Sequence, residues 1–250
     1  MLELSHLTKT YKKQTVVDDF SLTVDVPVFG FLGQNGAGKT TIMKMIVGLL
    51  QPTKGSVLLD GKPSADEASK RRTGYMPETP YFYEHMTGME FLKLCDELDG
   101  SGSGDRKAHY EALLRRMGIF AARDAEVRTY SKGMRQRLGF AQALVNDPEY
   151  LFLDEPLDGL DPIGRREMKE VMRELKKEGR KIFLNTHILY DVEEVCDEVG
   201  VVHKGKLLYA GPVKAFSAGK SLEEQFMRTV DAHEARGIGG VHAAHGEARL

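Results

Sequence analysis

Gly33-Gln34-Asn35-Gly36-Ala37-Gly38-Lys39-Thr40, followed by Thr41, decides how the rest of the chain is read. It satisfies the pattern G-x-x-x-x-G-K-[ST] at every position. Glycines at Gly33, Gly36 and Gly38 let a loop curl until its backbone N–H groups point inward at phosphate oxygens. Lys39 can reach the outer phosphates as a point charge, and the Thr40 hydroxyl can ligate Mg²⁺. The flanks support the match. Val28 to Leu32 reads as a short buried strand entering the loop, and Thr41 to Leu50 as an apolar helix leaving it, whose N-terminus favours anions.

A second stretch answers the first. Tyr150-Leu151-Phe152-Leu153 is an apolar run for a buried strand, and Asp154 and Glu155 follow at its C-terminal end. Ligands bind at that end in open parallel sheets. Asp154 can hold magnesium, directly or through water, and Glu155 can orient or deprotonate an attacking water. A third buried strand, Lys181 to Asn185, delivers Thr186 and His187 to the same sheet edge, where His187 can sense or hold a γ-phosphate.

Around these lie simpler elements. Leu2 to Thr8 and Gln14 to Val24 alternate apolar and polar residues as antiparallel strands do. Tyr11, between them, suits either stacking on a purine or an ordinary strand edge. Ser56 to Gly61 and Thr73 to Met76 read as strands, the latter stopped by Pro77-Glu78-Thr79-Pro80. Helical patterns dominate from Tyr81 to Tyr130, over Gly88 to Leu98 and Asp105 to Met117, with Gly100 to Gly104 as a flexible connector. The aromatic cluster Tyr81 to Met86 suits core packing or docking of a partner. Ser131 is placed to cap a helix running through Ala143, and Ser131 with Gly133 at that start forms a weak anion signal. A helix follows from Gly164 to Glu178 with Gly179 as its stop, then a hairpin about Lys204-Gly205-Lys206. A last helix spans Ser221 to Val230, with a loosely ordered tail beyond.

Composition narrows the classes. The chain has 250 residues, 41% of them hydrophobic, enough for one large α/β domain with a subdomain. A formal net charge of −2 provides no global field toward nucleic acid or anionic lipid. Cys95 and Cys196 stand apart from any C-x-x-C pair, so a reducing compartment is expected. No apolar run approaches the ~20 residues that span a bilayer, and no signal segment is expected at the start. Work at a membrane would pass through a partner.

In order and spacing the motifs resemble the nucleotide-binding subunit of an ATP-binding cassette (ABC) transporter, over Leu2 to Val230. Gly33 to Thr41 matches the family's Walker A loop, Leu151 to Glu155 its Walker B strand, and Leu157 to Asp161 its D-loop. Tyr11 matches its adenine-stacking aromatic and His187 its switch histidine, and Ser131-Lys132-Gly133-Met134 stands at its signature. The resemblance implies a P-loop NTPase fold of class α/β. A mainly parallel core sheet would be flanked by helices and joined by an N-terminal antiparallel β subdomain. A helical subdomain at about 81–145 would be inserted, and 231–250 left as a tail. It implies ATP held by Tyr11, Gly33, Asn35, Gly36, Gly38, Lys39, Thr40 and Thr41. Mg²⁺ would sit at Thr40, Asp154 and Glu78, and the catalytic pair would be Glu155, as base, with His187. Ser131 and Gly133 would contact the γ-phosphate in the opposite subunit of a two-fold dimer. A permease docked near Tyr81 to Met86 would keep the protein at the cytoplasmic face of the membrane, with no nucleic-acid partner.

Three departures bear on those roles. Glu78 replaces the usual glutamine, Lys132 and Met134 replace Gly and Gln of the signature, and Asp158 replaces a small residue of the D-loop. Such variants are similar to those of the branch that exports drugs, sodium, bacteriocins or polysaccharides. Other classes compatible with the motifs are a soluble ABC ATPase on ribosomes or DNA, a non-hydrolytic ATP-gated module, and a generic P-loop kinase or GTPase.

Overall fold

The computed structural model describes residues 1–99, 106–217 and 219–242, so the connector at Gly100 to Gly104 lies outside the described residues. Two sheets organise the chain. The first is antiparallel: β1 (Leu2–Tyr11), β2 (Gln14–Val24), β4 (Lys54–Leu59) and the two-residue β5 (Lys62–Pro63), in the order β2-β1-β4-β5. Its alternation buries Leu2, Leu4 and Leu7 with Phe20, Leu22 and Val24 on one face. The second combines β3 (Val28–Leu32), β6 (Thr73–Met76), β7 (Tyr150–Asp154), β8 (Lys181–Thr186), β9 (Glu198–His203) and β10 (Lys206–Pro212), in the order β10-β9-β3-β8-β7-β6. The pairs β9/β3, β3/β8, β8/β7 and β7/β6 are parallel, and β10 closes the edge as an antiparallel hairpin strand.

The central strands are buried, Lys181 at the start of β8 apart, because both faces are covered. Aromatics mark one face. Phe29, Phe31, Tyr150, Phe152 and Phe183 pack toward the antiparallel sheet and α1 (Lys39–Ile46), with Phe152 and Phe183 stacked at 4.9 Å between centroids. Aliphatics mark the other. Leu151, Leu153, Ile182 and Leu184 share a core with α5 (Lys132–Leu144) and α6 (Pro162–Lys177). The strict alternation in Tyr150-Leu151-Phe152-Leu153 thus sorts one strand between two cores.

Helices α2 (Glu67–Lys70), α3 (Gly88–Asp99) and α4 (Lys107–Arg116) complete the region before α5. Thr87 and Glu90 start α3 as a capping box. The Thr87 N–H donates to Glu90 Oε2 at 2.8 Å, and the Glu90 N–H donates to Thr87 Oγ1 at 3.2 Å. After β8 come α7 (Leu189–Val195), α8 (Val213–Ser217) and α9 (Leu222–His242).

Several boundaries differ from the sequence reading. The first helix begins at Lys39 and stops at Ile46 instead of running to Leu50. The Lys44 carbonyl there accepts from both Leu49 and Leu50, at 2.9 and 3.0 Å, which closes the helix, and Leu49 turns outward, 66% exposed. The sixth helix starts at Pro162, two residues early, because Asp161 Oδ1 accepts the Gly164 N–H at 2.6 Å as its cap. The last helix does not end at Val230. It continues to His242 through residues expected to carry no regular structure. Leu222, Phe226 and Val230 seat its first turns against Val199, Val201 and Phe216, and Glu234 receives Lys204 at 2.6 Å, which carries the docking past the apolar face.

Candidate nucleotide site

Parallel register builds the site before any single side chain does. Leu32 pairs with Thr186 and with Val201, and Asp154 pairs with Asn185. The C-terminal ends of β3, β7 and β8 therefore finish level, and the loops that leave them meet along one edge.

The loop Gly33–Gly38 leaves β3 and enters α1 through Gly38, whose φ of 104° reverses the chain at the helix start. Its first residue touches the β9 end so closely that a Cβ at Gly33 would lie 2.3 Å from the Val202 carbonyl oxygen. The β9–β10 turn braces the loop from behind, because the Gly205 N–H donates to the Ala37 carbonyl at 2.8 Å. An open cleft of about 320 Å³ lies over this loop. Asn35 to Thr41, Val16 of β2, Glu78 and Glu155 line it.

Lys39 crosses the loop, donating to the carbonyls of Gly33 at 2.5 Å and Gln34 at 3.2 Å, with its ammonium 3.9 Å from Glu155 Oε1. Burial pushes the Lys39 ammonium below its ordinary value, against the pull of Glu155, Asp154 and Glu78. Burial likewise pushes the Glu155 carboxyl up, against His187, whose Nδ1 lies 3.0 Å from Oε2, and against Lys39. A cation in a low-dielectric loop facing open space suits an anionic ligand. A carboxyl with raised proton affinity at the same cleft suits a general base.

Asp154 is buried, and Asn185 Nδ2 donates to its Oδ1 at 2.8 Å. Its Oδ2 is buried with no hydrogen-bond partner among the described residues. A carboxylate oxygen in that condition is costly unless something cationic completes it, so the donor set fits a divalent cation. Thr40 and Glu78 stand where the phosphate cleft adjoins a second one of about 540 Å³, which Asp154, Tyr75 and Tyr81 also line.

The remaining expected residues are placed as follows. Tyr11 ends β1 in the hairpin that carries Val16. It is 47% exposed, with the Lys9 ammonium 5.3 Å from its ring centroid, and it is not among the residues lining the cleft. Ser131 caps α5 by accepting the Met134 N–H at 3.2 Å, and neither it nor Gly133 lines the cleft of its own chain. The aromatic cluster divides. Phe82 and Met86 pack on the helical core, whereas Tyr81, Tyr83 and His85 face outward. The signature and D-loop departures meet, with Lys132 Nζ 2.8 Å from Asp158 Oδ2.

Sequence reasoning missed Asn185, Gln136 and Val16. Asn185 reads as the last residue of a strand and Gln136 as one polar residue in a polar helix start. A buried strand ending in Asn opposite Asp is the one local hint; the contacts themselves span 31 and 19 residues.

Comparison with known proteins points to one family. The family model described as "ABC transporter" matches residues 17–158. An ABC transporter ATP-binding protein of Nostoc sp. is 46% identical over 194 residues, covering 76% of this chain and 58% of that protein. A second, from Synechocystis sp., is 46% identical over 52% of its length, so the chain spans between half and three fifths of these two relatives. The lantibiotic transport ATP-binding protein SrtF of Streptococcus pyogenes is 34% identical, covering 90% of this chain and 96% of its own. The bacitracin transport ATP-binding protein BcrA of Enterococcus faecalis is 40% identical over 83% and 68%. Among solved structures, an ATP-binding subunit of an ABC transporter superposes with a TM-score of 0.84 at 32% identity, covering 92% of this chain and 99% of that one. The dimeric cassette MJ0796 bound to ADP and Pi, 21% identical with a TM-score of 0.79 over 85% and 98%, shares the fold. With a family model that spans both the phosphate loop and the carboxylate strand, and a superposition over nearly the whole chain, the chain belongs to the ABC transporter family as an ATP-binding cassette.

Proposed function

We propose that this chain is the ATP-hydrolysing motor subunit of a membrane ABC transporter. Two cassettes close on two ATP molecules and drive export through separate transmembrane subunits. The observation that carries the reading is the meeting of Lys39 and Glu155 at 3.9 Å in one open cleft, beside an Asp154 oxygen with no partner.

The chemistry follows from what those groups do. The loop N–H groups and Lys39 bind the β- and γ-phosphates and hold the γ-phosphorus in line with a water. Glu155, its carboxyl raised by burial, takes the proton as that water attacks, and the bond to the ADP oxygen breaks. His187 holds the Glu155 carboxylate from the other side. Thr40, Asp154 and Glu78 would hold Mg²⁺, which supplies charge neutralisation to the phosphates when bound. Tyr11 stacks on the adenine from its exposed position.

Ser131 and Gly133 cannot serve the phosphates of their own cleft, since they do not line it. They serve the cleft of a second copy or a paralogue, which makes ATP the adhesive of the dimer and its hydrolysis the release. The dimeric state of the structural neighbour bound to ADP and Pi supports this assembly. The transport roles printed for the bacitracin and lantibiotic relatives support export. Exposed Tyr81 and Tyr83 are the surface offered to the permease, which holds the protein at the cytoplasmic face of the membrane. Among the described residues no helix is long and apolar enough to cross a membrane.

Glu155→Gln tests the reading. Turnover of Mg-ATP should fall at least a hundredfold, while light scattering with ATP shows a stable dimer. Near wild-type turnover, or monomers at saturating ATP, would overturn it.

A further inference from the structure

Seven non-glycine residues among those described hold a positive φ. Six of them are exposed: Lys12, Asp60 and Lys204 at turns, Asp147 in the loop before β7, and His6 and Asp19 at the irregular stretch of the β1/β2 ladder. The seventh is Glu155, with φ 49°, and it is buried. A left-handed backbone at a non-glycine residue is unfavourable and persists only where its surroundings over-determine it.

The Glu155 N–H donates to the Asn185 carbonyl at 3.0 Å, and its own carbonyl accepts the Asp158 N–H at 3.1 Å, which closes the turn after β7. One further bond reaches that carbonyl from outside the turn. Gln136 Nε2 donates to it at 2.9 Å from the second turn of α5, and both partners are buried. A glutamine amide at a buried helix position has costs in desolvation and rotamer entropy that an apolar residue would avoid. Its neighbours Leu138, Phe140 and Ala141 show that this helix otherwise buries apolar groups here.

We propose that Gln136 is a positioning residue for Glu155: its amide clamps the strained Glu155 backbone to α5 and so aims the carboxylate into the nucleotide cleft. The inference rests on the reading of Glu155 as the base. Gln136 does not line the cleft, so its effect runs through Glu155 and not through the nucleotide. The Asp158 N–H remains when Gln136 is removed, so the turn survives while its link to α5 is lost. The carboxylate then samples orientations away from Lys39 and His187.

Gln136→Met keeps the length and removes the donor. At saturating Mg-ATP, kcat should fall about tenfold while the affinity for ATP stays within twofold. On the Glu155→Gln background, Gln136→Met should lower the residual turnover no further, because the group it aims is gone; a purely structural role would subtract again. Gln136→Asn, whose amide is one methylene too short, should repeat the loss in kcat and serves where the Met variant does not fold. A kcat within twofold of wild type in a folded variant, or additive losses in the double variant, overturns the proposal. If Glu155→Gln alone turns over normally, the reading of the base has failed instead.

Discussion

Gly33 and Asn185 carry the sharpest consequences at the scale of single residues. Any side chain at Gly33 meets the Val202 carbonyl, which belongs to β9 and cannot swing away as a long side chain would. Gly33→Ala should push the phosphate loop off its brace, with at least a tenfold loss of ATP affinity by equilibrium binding and a lower melting temperature. Asn185 is fully buried, and among the described residues its amide is the sole side chain donating to Asp154 Oδ1. Asn185→Leu should leave both Asp154 oxygens unpaired in the interior. The cost is about 1 to 3 kcal/mol of stability, read by denaturant melts, together with a fall in turnover. Neither residue's partner is visible in its local sequence. Gly33 is identified by its motif, but the reason it must be glycine lies 169 positions along the chain, whereas Asn185 belongs to no motif at all.

At the scale of elements, α5 is capped by a serine for which a second duty is proposed. As a cap it satisfies the Met134 N–H, and Ser131→Ala should cost about 1 kcal/mol of stability. As the proposed contact to a partner's nucleotide, the same change should lower turnover more than tenfold. Melting and turnover measured on one preparation separate the two, and a turnover loss no larger than twofold removes the second duty. The pairing of α6 with α7 makes a different prediction. Lys169 lies 2.7 Å from Asp191 and 2.6 Å from Glu194, and its ammonium holds the Glu194 carboxyl below the ordinary range. A carboxyl depressed on folding stabilises above its unfolded value, near pH ~4.3, and that contribution fades as pH falls through the folded value. Lys169→Met should therefore cost about 2 to 3 kcal/mol near neutral pH, and the gap from wild type should narrow below about pH 4. Arg165 remains on Asp191 at 2.6 Å, so folding itself should survive.

The whole molecule sets one cleft against another. Glu78 borders both the phosphate cleft and the larger one that Tyr81 also lines. The phosphate cleft and the outward aromatic surface therefore share a wall, which would give the permease proposed above a short route to the nucleotide. Tyr83 is 63% exposed and touches neither cleft. Tyr83→Asp should lower co-sedimentation with permease-containing membranes at least tenfold and leave the turnover of the detached protein within twofold. Unchanged co-sedimentation would move the docking surface elsewhere.

The α/β class, the phosphate loop and the carboxylate strand are legible along the chain, because each rests on a local pattern: glycines at fixed offsets, an apolar run of strand length, charges at its end. The sequence also marked Ser131 as a cap and Asp158 and Lys132 as unusual, without joining them. Only the tertiary structure brought that pair to 2.8 Å, set Gln136 on the Glu155 backbone and divided the aromatic cluster between core and surface. It also carried α9 on to His242, where polar contacts to the β9–β10 turn replace the apolar periodicity that a sequence reading follows. The reason is the same each time. A hydrogen bond or ion pair between distant elements depends on register and packing angle, and neither leaves a period in the chain.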